Sequence, residues 1–195
     1  MKKIVFIGDS LTYGYGANPQ DAWPAIAAQR LNYKYKCINK GENGDFTAGM
    51  SARFYRDVMA LKPETVVILG GSNDILNRIP MNQTLYFIEE MTGQALDSDI
   101  EVIIGIPMSI DAQLLRAEGC PAGMVQQIII GFENYHDALI DFCETKHIKY
   151  IDFWKEYPKR MEACKELQWY IDGVHPTKKG YRTMAEIFYE TSGFA

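Results

Sequence analysis

Lys3-Ile4-Val5-Phe6-Ile7-Gly8-Asp9-Ser10 is the stretch whose reading decides the fold. Its first five residues are almost continuously apolar, as a strand covered on both faces must be. Thr65 to Gly70 and Glu101 to Ile106 share this character, so these three strands are expected at the centre of a sheet. Tyr35 to Asn39 and Ile148 to Ile151 mix polar with apolar residues and suit the partly wet edges. Longer segments of helical period lie between the strands, near residues 22–33, 47–61, 83–97, 123–147 and 177–191. The fourth is clearest, with Val125, Ile128, Ile129, Phe132, Tyr135, Leu139, Phe142 and Cys143 stepping by three and four along one face. Alternating strands and helices predict an α/β fold with a five-stranded parallel sheet of order 2-1-3-4-5 and helices on both faces.

The chain has 195 residues, the size of one domain, and residues 1–195 are read as such. Hydrophobic residues at 47% and charged residues at 23% exclude a disordered or membrane class. The net charge of -5 is spread without a basic run, so neither nucleic acid nor insertion into a membrane is expected. Met1-Lys2-Lys3 is followed by only Ile4-Val5-Phe6-Ile7 before Gly8, far short of a signal peptide's apolar region, so a cytoplasmic location is expected. Cys37, Cys120, Cys143 and Cys164 form no C-x-x-C pair and are expected as free, mostly buried thiols. Residues 71–82 and 107–122 read as two long irregular loops, and connections of that length are often functional.

Ligands of an open parallel sheet bind in the crevice beyond the carboxyl ends of its strands. Gly8-Asp9-Ser10, Gly41-Glu42-Asn43-Gly44, Gly70-Gly71-Ser72-Asn73-Asp74 and Asp172-Gly173-Val174-His175 all fall there. Ser10 is the candidate nucleophile, held rigidly just past a buried strand. Of His136, His147 and His175, only His175 sits in a predicted loop with a carboxylate three residues before it. Asp172 can accept the Nδ1 proton of His175 and leave Nε2 free to take the proton of Ser10. The backbone N–H groups of Ser10 and Gly44 and the side-chain amide of Asn73 are the available oxyanion donors. Gly41 remains an alternative to Gly44. Asp9 reads as a structural brace, His136 as a core histidine, His147 as a helix-end residue, and Trp23, Trp154 and Trp169 as packing residues.

Taken together, Gly8-Asp9-Ser10-Leu11-Thr12, Asn43-Gly44-Asp45, Gly71-Ser72-Asn73-Asp74 and Asp172-Gly173-Val174-His175-Pro176 resemble the four sequence blocks of the GDSL/SGNH hydrolases. The resemblance spans nearly the whole chain in the expected order. It implies a three-layer flavodoxin-like fold and a serine esterase acting on esters or thioesters, with Ser10, Asp172 and His175 catalytic and Ser10, Gly44 and Asn73 forming the oxyanion hole. No cofactor and no metal are implied.

Three rival readings differ in their chemistry, one of them a metal-dependent phosphoesterase, for whose usual two-metal site three histidines are too few. Ser10-Leu11-Thr12-Tyr13-Gly14 faintly resembles the phosphate loop of flavodoxins, which would make the chain an FMN-binding module. An acyltransferase of the same family would share the acyl-enzyme and differ in the acceptor. The favoured substrate is a small soluble ester, because no basic amphipathic helix or apolar tail is present. Met108, Ile110, Leu114 and Leu115, with Ile75, Leu76, Ile79 and Met81, are expected to wall a short acyl pocket.

Overall fold

The computed structural model describes residues 1–32, 34–164 and 168–194. Five parallel strands, β1 (Lys2–Gly8), β2 (Tyr35–Gly41), β3 (Thr65–Leu69), β4 (Glu101–Ile106) and β5 (Lys149–Asp152), form one sheet in the order β2-β1-β3-β4-β5. The expected α/β class and strand order are therefore observed. Every residue of β3 is buried, whereas the edge strand β2 is half exposed along its length, as its mixed composition requires.

Strand side chains alternate between faces, and the register brings like faces into line. Val5 lies beside Val66, and Val66 beside Val102. This row, with Ile7, Ile68 and Ile104, packs against helices α3 (Thr47–Asp57), α5 (Met81–Leu96) and α7 (Ala122–Lys146). The opposite row, Ile4, Phe6, Val67, Leu69, Ile103 and Ile151, packs against α2 (Trp23–Arg30), α8 (Phe153–Glu162) and α9 (Lys178–Thr191). Helix, sheet and helix thus make three layers. The stripe read from α7 is real: Val125, Ile128, Phe132, Tyr135, Leu139 and Cys143 are its buried residues.

Several expectations need correction. The two segments read as irregular each contain a short helix, α4 (Ser72–Leu76) and α6 (Ala112–Ala117). A further helix of four residues, α1 (Ser10–Tyr13), begins one residue after β1, so Ser10 to Tyr13 form a helical turn rather than an irregular loop. Helix α8 was not anticipated, because Pro158 lies inside it and proline inside a helix removes a hydrogen bond. The first expected helix stops at Arg30, and its last expected residue, Tyr33, lies outside the described residues. All four cysteines are free, but only Cys143 is buried; Cys37 and Cys120 are half-buried and Cys164 is exposed. No described helix is long and apolar enough to cross a membrane.

Candidate active site

The short helix α1 starts at Ser10 because Asp9 caps it, its Oδ1 accepting the Leu11 N–H at 2.8 Å. The cap fixes Ser10 in the first turn, with Oγ 2.9 Å from Nε2 of His175. Nδ1 of His175 lies 2.6 Å from Oδ2 of Asp172. The other carboxylate oxygen, Oδ1, accepts the backbone N–H groups of Val174 at 3.0 Å and His175 at 2.9 Å, winding the loop around the carboxylate. The loop is closed by Ile171 N–H donating to the His175 carbonyl at 2.8 Å and by a bridge between Tyr170 and Pro176. Burial pushes the Asp172 carboxyl up, but the backbone bonds and the His175 ring outweigh it and hold the group below the usual carboxylate range.

Asn73, in α4, donates one hydrogen of its amide from Nδ2 to the Asp45 carbonyl at 2.9 Å. An amide nitrogen carries two hydrogens, so this bond orients the side chain and leaves the second hydrogen free. Next to Asn73, the buried Asp74 accepts from the Thr47 N–H at 3.0 Å and from the Thr47 hydroxyl at 2.6 Å, tying α4 to the start of α3.

The two candidate glycines differ in their surroundings. Gly41 donates its N–H to Asn39 Oδ1 at 2.9 Å, and a Cβ there would collide with the backbone of Thr12 and Tyr13. Gly44 has φ +75 and open space around the position of a Cβ. Its positive φ favours glycine, and its N–H has no partner among the described residues.

Sequence reasoning missed the group that fastens this loop. Arg53 of α3 is 8% exposed and donates to Gly8 O at 2.9 Å, Lys40 O at 2.8 Å, Asp45 Oδ2 at 2.7 Å and Asp57 Oδ2 at 3.0 Å. One guanidinium therefore joins the end of β1, the end of β2 and the residue after Gly44, using its fork of fixed donors. Hydrogen bonding from Arg56, opposed by burial and reinforced by Arg53 and Lys40, holds Asp57 well below the usual carboxylate range. The signal was present. Met50, Arg53, Phe54 and Asp57 share one buried helical stripe, and charges at core positions almost never occur unless paired.

Asp9 is fully buried, and its Oδ2 has no partner among the described residues. Burial pushes its carboxyl up to about 7, against the Leu11 bond and with help from the charges of Asp74 and Asp45. An unfolded aspartate ionises near roughly 3.9, so the folded chain holds this proton longer and Asp9 costs stability as pH rises between the two values. Asp9→Asn keeps an acceptor for Leu11 and cannot ionise. Its thermal midpoint relative to the parent is expected to climb from acid to neutral pH and then level off. A difference independent of pH would contradict a proton held on Asp9.

None of the remaining candidates is hydrogen-bonded to Ser10 among the described residues. His136 is half-buried rather than in the core, its Nε2 3.4 Å from Asp152 Oδ2 and its ring tilted against Trp154. His147 ends α7 in a left-handed conformation, as a helix-end residue should. Trp23 and Trp169 are buried and Trp154 packs against the core, so none offers an open platform. Ile75 and Met108 are buried in the two cores. Ile79 lines a cavity of about 260 Å³ with Asp45, Phe46, Ala48, Gly49, Asp74, Gln83 and Phe87. Among the described residues no cluster of histidine, cysteine or carboxylate side chains is arranged to hold a metal ion.

Comparison with known proteins identifies the family. The chain is 29% identical over 104 residues to Esterase TesA of Pseudomonas aeruginosa, a match spanning about half (52%) of each protein. It is 22% identical over 210 residues to an acetylxylan esterase of Geobacillus stearothermophilus, covering 99% of this chain and 94% of that one. In structure it resembles a member of the lipolytic G-D-S-L family from Veillonella parvula, with a TM-score of 0.78, 24% identity and 97% of each chain covered. Residues 6–183 match the model of the GDSL-like lipase/acylhydrolase family, and the chain belongs to that family of hydrolases.

Proposed function

We propose that this enzyme hydrolyses carboxylic esters of small soluble substrates through an acyl-enzyme on Ser10. The observation that carries the reading is the continuous hydrogen-bonded line Ser10 Oγ, His175 Nε2, His175 Nδ1, Asp172 Oδ2, at 2.9 and 2.6 Å. In this reading Asp172 keeps the proton of neutral His175 on Nδ1, and Nε2 accepts the Ser10 proton as Oγ attacks the ester carbonyl. The carbonyl oxygen, now negative, is met by the Ser10 N–H, the Gly44 N–H and the free amide hydrogen of Asn73. Gly44 is preferred over Gly41 because the N–H of Gly41 is already engaged by Asn39. Protonated His175 returns its proton to the leaving alkoxide, and water then releases the acid by the same route in reverse. The chemistry requires no metal and no cofactor.

Substrate size is judged by the volume of an ordinary small-molecule pocket, roughly 300–1,000 Å³; the cavity of about 260 Å³ beside Asp45 and Ile79 is lined by none of Ser10, Asp172 and His175. Across a series of p-nitrophenyl esters, kcat/KM is expected to be highest for acyl chains of about two to eight carbons, judged by that pocket scale. Emulsified long-chain triglyceride should be a poor substrate. A rate that climbs steadily to the palmitoyl ester, or jumps above the solubility limit, would contradict the reading. Product analysis with added alcohol separates hydrolysis from acyl transfer.

Asn73→Ala tests the oxyanion assignment. Loss of one donor lowers kcat by about 10²- to 10³-fold with little change in KM. Near-full kcat on an activated ester would make Asn73 only the partner of Asp45.

A further inference from the structure

The ring of Tyr15 lies against the imidazole of His175, with centroids 4.4 Å apart and planes at 42°. Two bonds fix the backbone of Tyr15 in this place. Its N–H donates to the Ser10 carbonyl at 3.1 Å, and its own carbonyl accepts from the Tyr181 hydroxyl of α9 at 3.0 Å. Tyr181 is fully buried, and burial pushes its phenol up, so it remains a donor. The next residue, Gly16, has φ +76 and lies against the end of the Ile171 side chain. Tyr15 is 44% exposed, so a hydrophobic core does not explain its position.

We propose that Tyr15 is a positioning residue for His175, a reading that rests on the proposed roles of Ser10 and His175. The imidazole has a hydrogen-bond partner at each nitrogen, but neither bond prevents the ring from swinging out of its plane. The phenol ring closes that direction and keeps Nε2 aimed at Oγ. It also acts on charge. When Ser10 gives up its proton His175 becomes an imidazolium, and the negative face of an aromatic ring within about 6 Å of a cation attracts it. The neutral ground-state imidazole gains much less, so the contact favours the transition state and should show in kcat rather than in KM. Among the described residues, Ser10 of α1 and Asp172 of its own loop hydrogen-bond to the ring and Tyr15 lies against it, with Tyr181 behind Tyr15.

The test compares Tyr15→Leu and Tyr15→Phe with the parent enzyme, on p-nitrophenyl acetate and in the rate of fluorophosphonate labelling at Ser10. Tyr15→Leu should lower kcat on the order of tenfold, the scale of one cation–π contact, and slow labelling similarly. KM should stay within about twofold, since ground-state binding is untouched. Tyr15→Phe keeps the ring and should restore both rates. An unchanged kcat in Tyr15→Leu, a loss confined to KM, or a phenylalanine variant as slow as the leucine one would each overturn the proposal. Parent enzyme that takes no label at Ser10 would instead overturn the serine–histidine reading, and the proposal with it.

Discussion

Replacing Ser10 with alanine is expected to lower kcat on p-nitrophenyl acetate by about 10⁴- to 10⁶-fold, the range seen when a nucleophilic serine of a triad is removed. Oγ is the atom 2.9 Å from Nε2 of His175, so the change leaves the base with no proton to accept. Ser10 is 6% exposed and follows an aspartate that already caps α1. The fold does not depend on the hydroxyl, and the thermal midpoint should stay close to the parent's. Some rate over water, roughly 10³- to 10⁴-fold, should survive through the remaining donors and binding. An alanine variant within tenfold of the parent, on repeated preparations free of contaminating esterase, would contradict the assignment.

Asp172→Asn is expected to lower kcat about 10⁴-fold with the fold intact, by the tautomer effect known for such triads. The geometry shows why. Oδ1 of Asp172 accepts the Val174 and His175 N–H groups, while Oδ2 faces the ring. An asparagine keeps the two backbone bonds only by placing its oxygen toward them and its NH₂ toward Nδ1. Nδ1 must then accept, the ring proton moves to Nε2, and Nε2 can no longer take the proton of Ser10. The parent also has a pH limit at its acid end. Because the folded Asp172 carboxyl is held below its ordinary value, its stabilising contribution is complete above the unfolded value of roughly 3.9 and is lost as pH falls through the lower folded one. Circular dichroism and kinetics on the asparagine variant check both parts. Activity near the parent's, or a fall explained by unfolding, would remove the argument.

The sheet was legible because Ile4 to Ile7, Thr65 to Leu69 and Val102 to Ile106 are buried on both faces and so carry unbroken apolar runs. The Ser10–His175–Asp172 line was legible for a different reason: of the three histidines, His175 alone fell in a predicted loop with a carboxylate three residues before it. The short helices were not. In α1, α4 and α6 there are four to six residues, too few for a period to emerge, and isolated helices of that length do not form without tertiary support. Asp9 and Asp111 cap two of them, and those caps were the readable trace. Tyr15 and His175 meet across 160 positions, so no local pattern announces their contact. The proposed preference for Gly44 over Gly41 rests on which N–H a neighbouring asparagine engages, a matter of how β2 ends rather than of residue type.

The central claim is that Ser10 becomes acylated. Intact-mass and peptide mass spectrometry after exposure to a fluorophosphonate tests it most directly. A single adduct on the peptide carrying Ser10, absent from Ser10→Ala and much slower in Asp172→Asn, is the predicted result. An adduct elsewhere, or equal labelling of the alanine variant, would contradict it.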